Sequence, residues 1–234
     1  MSTLFLISSA INTRFGVFDA AARLEQTLQT ISSIRIAIPD AKLILLESGA
    51  VALDDRQRFI LQSHVDAIKD CHQEKLIQEI YRRDQWSIVK NISEVKCFSL
   101  SLRELLEQGK LQGINRVYKI SGRYRLNGNF QEDSHNQVEK IVISSRRQSQ
   151  FPLSFIGVHY QYMSRLWSWP GRLTPEILNA YQEGLTYIVK QINCGKYCDI
   201  EHMLYAFLPK ALVHEVSSVG VEGEAGPNGQ LVRD

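Results

Sequence analysis

"RVYKISGRYRLNGNF" occupies residues 116–130, and its reading decides the fold. Val117, Tyr118 and Ile120 suit the middle of a sheet, where β-branched and aromatic side chains pack well. The run then breaks into Ser121, Gly122 and Arg123, followed by Tyr124, Arg125 and the turn formers Asn127-Gly128-Asn129. Two arginines and a glycine have no place in a core. Strand ends in α/β sheets are where ligands lie, so this turn is predicted to face one.

The segments upstream repeat one plan. "LFLISSAI" (residues 4–11) is a short apolar run ended by polar "NTRFG", which predicts a first strand. Leu24, Leu28, Ile31, Ile34 and Ile38 then recur on one helical face until Pro39-Asp40 stops them. "KLILLESG" is continuously apolar, as a parallel strand covered on both faces should be. "LDDRQRFILQS" predicts a short helix, with Asp54 or Asp55 near its start. "HVDAIKD" predicts a weak strand at residues 65–68. A polar, irregular stretch follows. From Ile92 the stripe Val95, Phe98, Leu102, Leu105 and Leu106 predicts a helix, with Gly109 suited to its end. The order β-α-β-α-β-α-β implies a mostly parallel central sheet with helices on both faces.

The second half changes character. "KIVISS" and "SFIGVHYQYMSRLW" read as strands, the latter aromatic and less buried. Thr174-Pro175 open a helix whose Ile177, Leu178, Tyr181, Leu185, Ile188, Val189 and Ile192 face a core. Asp199 suits the cap of another helix, "IEHMLYAFLP". Pro227-Asn228-Gly229 signals a turn before a last strand. No linker or repeat interrupts the 234 residues, so one domain is expected, with a first half over residues 1–126 and a second over 127–234.

Composition narrows the function classes. The chain is 44% hydrophobic and 22% charged, which removes disordered and fibrous classes. A net charge of +2, without nucleic-acid motifs, gives no reason to expect nucleic acid as a partner. No apolar run approaches the ~18–20 residues that span a bilayer, so no transmembrane segment is expected. No basic segment precedes "TLFLISSAI", and a cytoplasmic protein is expected. Cys71, Cys97, Cys194 and Cys198 form no CxxC pair, which suits a reducing compartment. Cys194, Cys198 and His202 are spaced by four, but without a fourth ligand they read as packing residues.

The stretches "RLEQTLQTISSIRIAIPDAKLILLE", "YKISGRY", "IEHMLYAFLP" and "VGVEGEAGPNGQLVRD" resemble those of small bacterial and viral proteins of the GT-A fold, the class of nucleotide-sugar glycosyltransferases. The resemblance covers nearly the whole chain in element order. It implies a nucleotide-sugar donor as co-substrate, a glycan or lipid-linked acceptor, and a place in polysaccharide biosynthesis. It departs from the class at one place. The Asp-x-Asp that holds a divalent metal at the end of the fourth strand is replaced here by Ile120-Ser121-Gly122-Arg123-Tyr124, which contains no acid.

A diphosphate leaving group needs its growing charge neutralised, by a metal or by fixed cations. Arg123, whose planar fork matches phosphate oxygens, is the expected substitute, and no metal or other cofactor is favoured. Ser121 borders the same site, and Gly122 would let the backbone approach the ligand. Glu132 and Asp133 are the nearest rival metal ligands, but a turn should carry them away from the strand end.

The resemblance further implies that Ser9, Ala10, Ile11 and Asn12, in the loop after strand one, hold the nucleotide. Glu47 would meet the base or ribose. Lys90 and Asn91 would approach the phosphates near a helix N-terminus, where Ser93 could also be the cap. A late acidic turn carries the catalytic base of inverting members, which points to Glu201, with Asp199 as second candidate. His159 lies among aromatics that could form a sugar platform, although a strand histidine is more often structural. The leading expectation is a metal-independent glycosyltransferase; the alternative is a non-catalytic nucleotide- or sugar-binding module. A nucleotidyltransferase ranks lower, because "SSAINTRFG" lacks a glycine-rich phosphate loop.

Overall fold

The computed structural model describes residues 2–83, 85–226 and 228–234. The first half follows the expected alternation: β1 (Ser2–Ser9), α1 (Ala20–Ala37), β2 (Lys42–Glu47), α2 (Asp55–Gln62), β3 (Ala67–Asp70), α3 (Lys75–Tyr81), α4 (Trp86–Glu107) and β4 (Ile114–Ser121). There follow β5 (Tyr124–Leu126), α5 (Glu132–Asn136), β6 (Ile141–Ser144), β7 (Arg147–Gln148), α6 (Leu153–Ile156), β8 (Tyr160–Gln161) and β9 (Leu166–Pro170). The chain ends with α7 (Thr174–Asn193), α8 (Ile200–Phe207), β10 (Val213–Val216), β11 (Val221–Glu224) and β12 (Leu231–Arg233).

Seven strands form one sheet in the order β10-β6-β9-β4-β1-β2-β3. β1 pairs in parallel with both β2 and β4, β2 with β3, and β6 with β10; only β9 runs antiparallel to its neighbours. Side chains alternate across a strand, so β1 feeds two cores. Leu4 and Leu6 pack with α3, α4, α7 and α8 on one face, while Phe5 and Ile7 pack with α1 and α2 on the other. Each such side chain, once buried, contributes about 1.5–3 kcal/mol. The fold is therefore α/β with a mostly parallel sheet covered on both faces. β5, β11 and β12 make a small antiparallel sheet, and β7 pairs with β8 in another.

Local chemistry accounts for the helix starts. Asp19 accepts from Ala22 N and caps α1. Asp54 and Gln57 form a reciprocal capping box at α2. Asp199 accepts from His202 N and caps α8 as expected.

Four expectations need correction. β3 lies two residues later than residues 65–68, because Asp66 leaves the strand to bond Leu43 N through its carboxylate. The stretch read as irregular contains α3, whose Ile77, Ile80 and Tyr81 are buried. α4 begins at Trp86, six residues before the predicted Ile92 start, so Lys90, Asn91 and Ser93 lie inside a helix. The aromatic segment read as one strand is divided into α6, β8 and the start of β9: Ser154, Phe155, His159 and Tyr160 are exposed as expected, whereas Leu166 and Trp167 are buried in β9 between β4 and β6. The turn expected at Pro227 falls on a residue outside those described.

Candidate functional site

The site begins with a register. Ser8 of β1 continues the Leu4 and Leu6 face, and Ser121 of β4 continues the Val117 face through Lys119. Ser8 and Ser121 are paired residues in the parallel ladder, so two hydroxyls stand side by side where the sheet ends, beneath α4. This is the carboxyl edge at which ligands of α/β sheets bind.

A cleft of roughly 750 Å³, counting space open to solvent, lies over this pair. Three cationic side chains line it: Arg23 from α1, Lys90 from α4 and Arg123 from the turn after β4. Phe15, Phe18 and Tyr81 supply aromatic surface, and Gly226 closes one side. Burial, together with neighbouring Arg123, pulls Arg23 down to about 10. Arg123 forms no ion pair among the described residues, whereas Arg125 holds Glu222 at 2.6 Å. Arg123 and Arg125 therefore part company: Arg123 turns to the cleft and Arg125 ties the small sheet. A Cβ at Gly226 would meet the Arg123 guanidinium, so the tail crosses closely over the end of that side chain.

Below the cleft lies a buried polar network. Lys119 is fully buried on β4, and its Nζ lies 2.9 Å from Glu94 Oε1, 2.9 Å from Ser121 Oγ and 2.7 Å from Ser164 O. Ser8 Oγ donates to the same Glu94 oxygen at 2.8 Å. Burial opposes charge on Glu94, but Lys119, joined by Lys90 and the Ser8 hydroxyl, outweighs it, and the carboxyl is held at about 2.

The residues expected to bind the nucleotide divide into two groups. Ser9, Ala10, Lys90, Ser93, Ser121 and Arg123 line the cleft. Ile11, Asn12, Glu47, Asn91 and Gly122 do not. Ile11 is buried, and its N–H bonds Glu47 Oε1 at 2.9 Å. Asn12 bonds Ala52 O and Gln57, bracing the loop against α2. Glu47, expected to meet base or ribose, is wholly buried: its Oε1 takes Ile11 N and Gly49 N, and its Oε2 lies against Ser9 Oγ. Asn91 Oδ1 accepts from Ile200 N at 3.4 Å and so faces α8. Gly122 is needed for packing, since a Cβ there would crowd Thr27 Oγ1 and Ser8 O. Ser93 caps nothing; its hydroxyl donates to Val89 O within α4. Lys90 consequently reaches the cleft from the helix flank, without an N-terminus beside it.

Asp199 and Glu201 do not line the cleft. Asp199 Oδ1 is occupied by His202 N and by His202 Nδ1 at 2.5 Å. Glu201 Oε1 accepts from Ser164 Oγ at 2.7 Å, which leaves it two hydrogen bonds from Lys119. Glu132 accepts from Thr3 Oγ1 at the start of β1, the opposite end of the sheet. Cys194 is exposed while Cys198 and His202 are buried, and His202 bonds Ser149 as well as Asp199. His159 is exposed next to Tyr160.

The described residues do not supply an acid pair of the kind that holds the metal in the GT-A class. Among the described residues Glu94 is the only carboxylate lining the cleft, and one of its oxygens already serves Lys119 and Ser8. No three His, Cys, Asp or Glu side chains among the described residues are grouped as a metal ion requires.

Arg23, Glu94, Lys119, Tyr81 and Gly226 were missed in the sequence. Two had a signal. A lysine flanked by Tyr118 and Ile120 is anomalous in a central strand, and Glu94 interrupts the helical stripe of Val89, Ile92 and Val95. Each predicted the other, since a buried charge needs a partner. Gly226 had none, because only the folded tail brings it to Arg123.

No family model matches the chain, and no curated protein does. Among solved structures it is similar to the galactosyltransferase LgtC, determined with donor and acceptor sugar analogs. The TM-score is 0.57 at 9% identity, over 91% of this chain and 73% of that one. It also matches mouse xyloside xylosyltransferase 1 in its apo form, with TM-score 0.49 and 12% identity over 92% and 84% of the two chains. The first likeness shows a shared GT-A-like fold. No helix among the described residues is long and apolar enough to cross a membrane.

Proposed function

We propose that the chain transfers a sugar from a nucleotide-diphosphate donor to a hydroxyl of a glycan or lipid-linked acceptor, with cationic side chains in place of a metal. One observation carries the reading: Arg23, Lys90 and Arg123 converge on a single cleft at the carboxyl edge of β1 and β4. The fold shared with a galactosyltransferase supports it. In this reading Phe15, Phe18 and Tyr81 offer flat surfaces for a base. Residues 1–126 supply most of the donor cleft, and 127–234 supply the acceptor side.

The acceptor oxygen attacks the anomeric carbon, and the bond from that carbon to the diphosphate oxygen breaks with its electron pair leaving on the diphosphate. Arg123 and Arg23 neutralise the charge that grows there, an effect larger in the transition state than in the bound donor. The acceptor proton passes to a carboxylate, for which Glu201, in the first turn of α8 and outside the cleft lining, is our candidate.

Donor turnover with and without excess chelator tests the reading, with Arg123→Lys and Arg123→Ala alongside. Wild-type turnover should survive chelation. Arg123→Lys should lose much of it, since an ammonium cannot reproduce a two-pronged grip, and Arg123→Ala should lose roughly 100-fold. Abolition by chelator, with rescue by manganese or magnesium, would overturn the cation reading. Tight nucleotide binding with no sugar released would favour the non-catalytic module, which draws support from the engagement of Glu94 by Lys119.

A further inference from the structure

We propose that the buried Lys119–Glu94 pair fixes the hydrogen-bonding sense of two cleft hydroxyls. Ser121 presents its proton to an anionic oxygen of the ligand, while Ser8 presents its lone pairs to a ligand hydroxyl. The proposal rests on the nucleotide-diphosphate reading and assigns a direction to the ligand within the cleft: phosphate over β4, hydroxyl-bearing ring over β1.

The argument is one of donor and acceptor inventory. An ammonium has three protons to donate and no lone pair. All three Lys119 protons are placed, on Glu94 Oε1, Ser121 Oγ and Ser164 O, at 2.9, 2.9 and 2.7 Å. The Ser121 oxygen must therefore accept, and its own proton points elsewhere. An ionised carboxylate only accepts. Glu94 Oε1 lies 2.9 Å from the ammonium and 2.8 Å from Ser8 Oγ, so the Ser8 proton is spent on Glu94 and its lone pairs remain. Both serines line the cleft and both are paired in the β1–β4 ladder. Two chemically identical side chains, neighbours in the sheet, thus offer opposite polarity.

The polarity is locked, because reversing either serine would set a proton against the ammonium or a lone pair against the carboxylate. Lys119, with no exposed surface, acts as a positioning residue and touches no ligand. A ligand that satisfies the pair must carry an acceptor beside a donor. A phosphate next to a ring hydroxyl has this form. Arg123, one turn beyond Ser121 and lining the same cleft, places positive charge on the phosphate side.

Calorimetric titration tests the assignment, using inorganic pyrophosphate, four nucleoside 5′-diphosphates and their 2′- and 3′-deoxy forms. Ser121→Ala should weaken pyrophosphate and nucleoside diphosphates alike, by about tenfold. Ser121→Thr, which keeps the hydroxyl, should restore both. Ser8→Ala should leave pyrophosphate unchanged and weaken the nucleoside diphosphate several-fold. It should also erase the preference of the wild type for one ribo form over its deoxy counterpart. If the wild type binds a nucleoside diphosphate while Ser121→Ala binds it equally well, the polarity assignment is wrong and the nucleotide reading survives. If Ser8→Ala weakens pyrophosphate as much as Ser121→Ala does, the assigned direction is wrong. Wild-type protein that binds none of these ligands would overturn both.

Discussion

Glu47, wholly buried, and Glu94, partly exposed at the floor of the cleft, are carboxylates at the same edge of one sheet, and they are held in opposite ways. Glu47 stands at the end of β2 among backbone N–H groups and the Ser9 hydroxyl; burial dominates and pushes it up to about 7. Glu94 stands on α4 against an ammonium, which holds it at about 2 despite burial. The difference shows that hydrogen bonds to neutral groups do not offset desolvation as a full charge does. It also separates two functions. Glu47 ties the loop after β1 to β2, whereas Glu94 belongs to the floor of the cleft.

The largest effect expected from this contrast is at Lys119. Lys119→Met removes the ammonium 2.9 Å from Glu94 Oε1 and leaves that largely buried carboxylate with Lys90 as its remaining named cationic neighbour, at a cost on the order of 3 kcal/mol. For a chain of this size the melting temperature should fall on the order of 10 °C. Pairing it with Glu94→Leu should recover most of the loss, since an apolar pair of similar volume carries no desolvation penalty. Thermal unfolding of the single and double variants checks both. A single variant that melts within a degree or two of wild type would remove Glu94 from its role as the charged member of the comparison.

The next effect is at Glu47 and has a sign. Its folded value lies above the ordinary 4.5, so the folded state holds the proton more tightly than the unfolded chain does. The stability it contributes is complete below pH 4.5 and is lost as pH rises through about 7, at no more than roughly 1.4 kcal/mol per pH unit. Glu94 acts in the other direction: its contribution is present above pH 4.5 and disappears as pH falls through about 2. Glu47→Gln keeps an acceptor for Ile11 N and Gly49 N and should flatten the profile between pH 4.5 and 7. Glu47→Ala should cost about 1–3 kcal/mol at every pH, because those two buried donors are orphaned. Denaturant titrations across pH 4–8 separate the cases. A profile for Glu47→Gln parallel to wild type would mean that Glu47 is ionised at neutral pH.

The same contrast explains how far the sequence could be read. The alternation of apolar strands and striped helices was legible because period and order survive into the structure, as β1, β2, β4 and α1 show. Arg123 was legible because an arginine at a strand end has few structural reasons to be there. Glu47 was misplaced because an acid closing a parallel strand has the same local pattern whether it faces a ligand or bonds its own loop, and only the fold reveals Ile11 N and Gly49 N around it. α3 and the early start of α4 were hidden because neither helix opens on a capping side chain, Glu74 and Gln85 making no cap hydrogen bond. The Arg123–Gly226 contact joins residues about a hundred positions apart and left no local trace.

The smallest binding effect expected concerns a third carboxylate, Glu201, at the far end of the Lys119 network. Its Oε1 accepts from Ser164 Oγ, and Ser164 O accepts from Lys119 Nζ, so two different atoms of Ser164 separate it from the ammonium. Glu201→Gln retains a carbonyl oxygen for the Ser164 hydroxyl and leaves the Ser164 carbonyl untouched. The positions of Lys119, Glu94, Ser121 and Ser8 should therefore hold, and nucleoside diphosphate affinity should change by less than about 0.5 kcal/mol, roughly twofold. Turnover behaves differently if Glu201 takes the acceptor proton: the amide cannot accept it, and transfer should stop while the donor still binds. Measured together, unchanged affinity with lost transfer separates proton transfer from support of the floor. Affinity lost in step with activity would instead make Glu201 part of the network that positions Lys119, and the search for the base would pass to another residue.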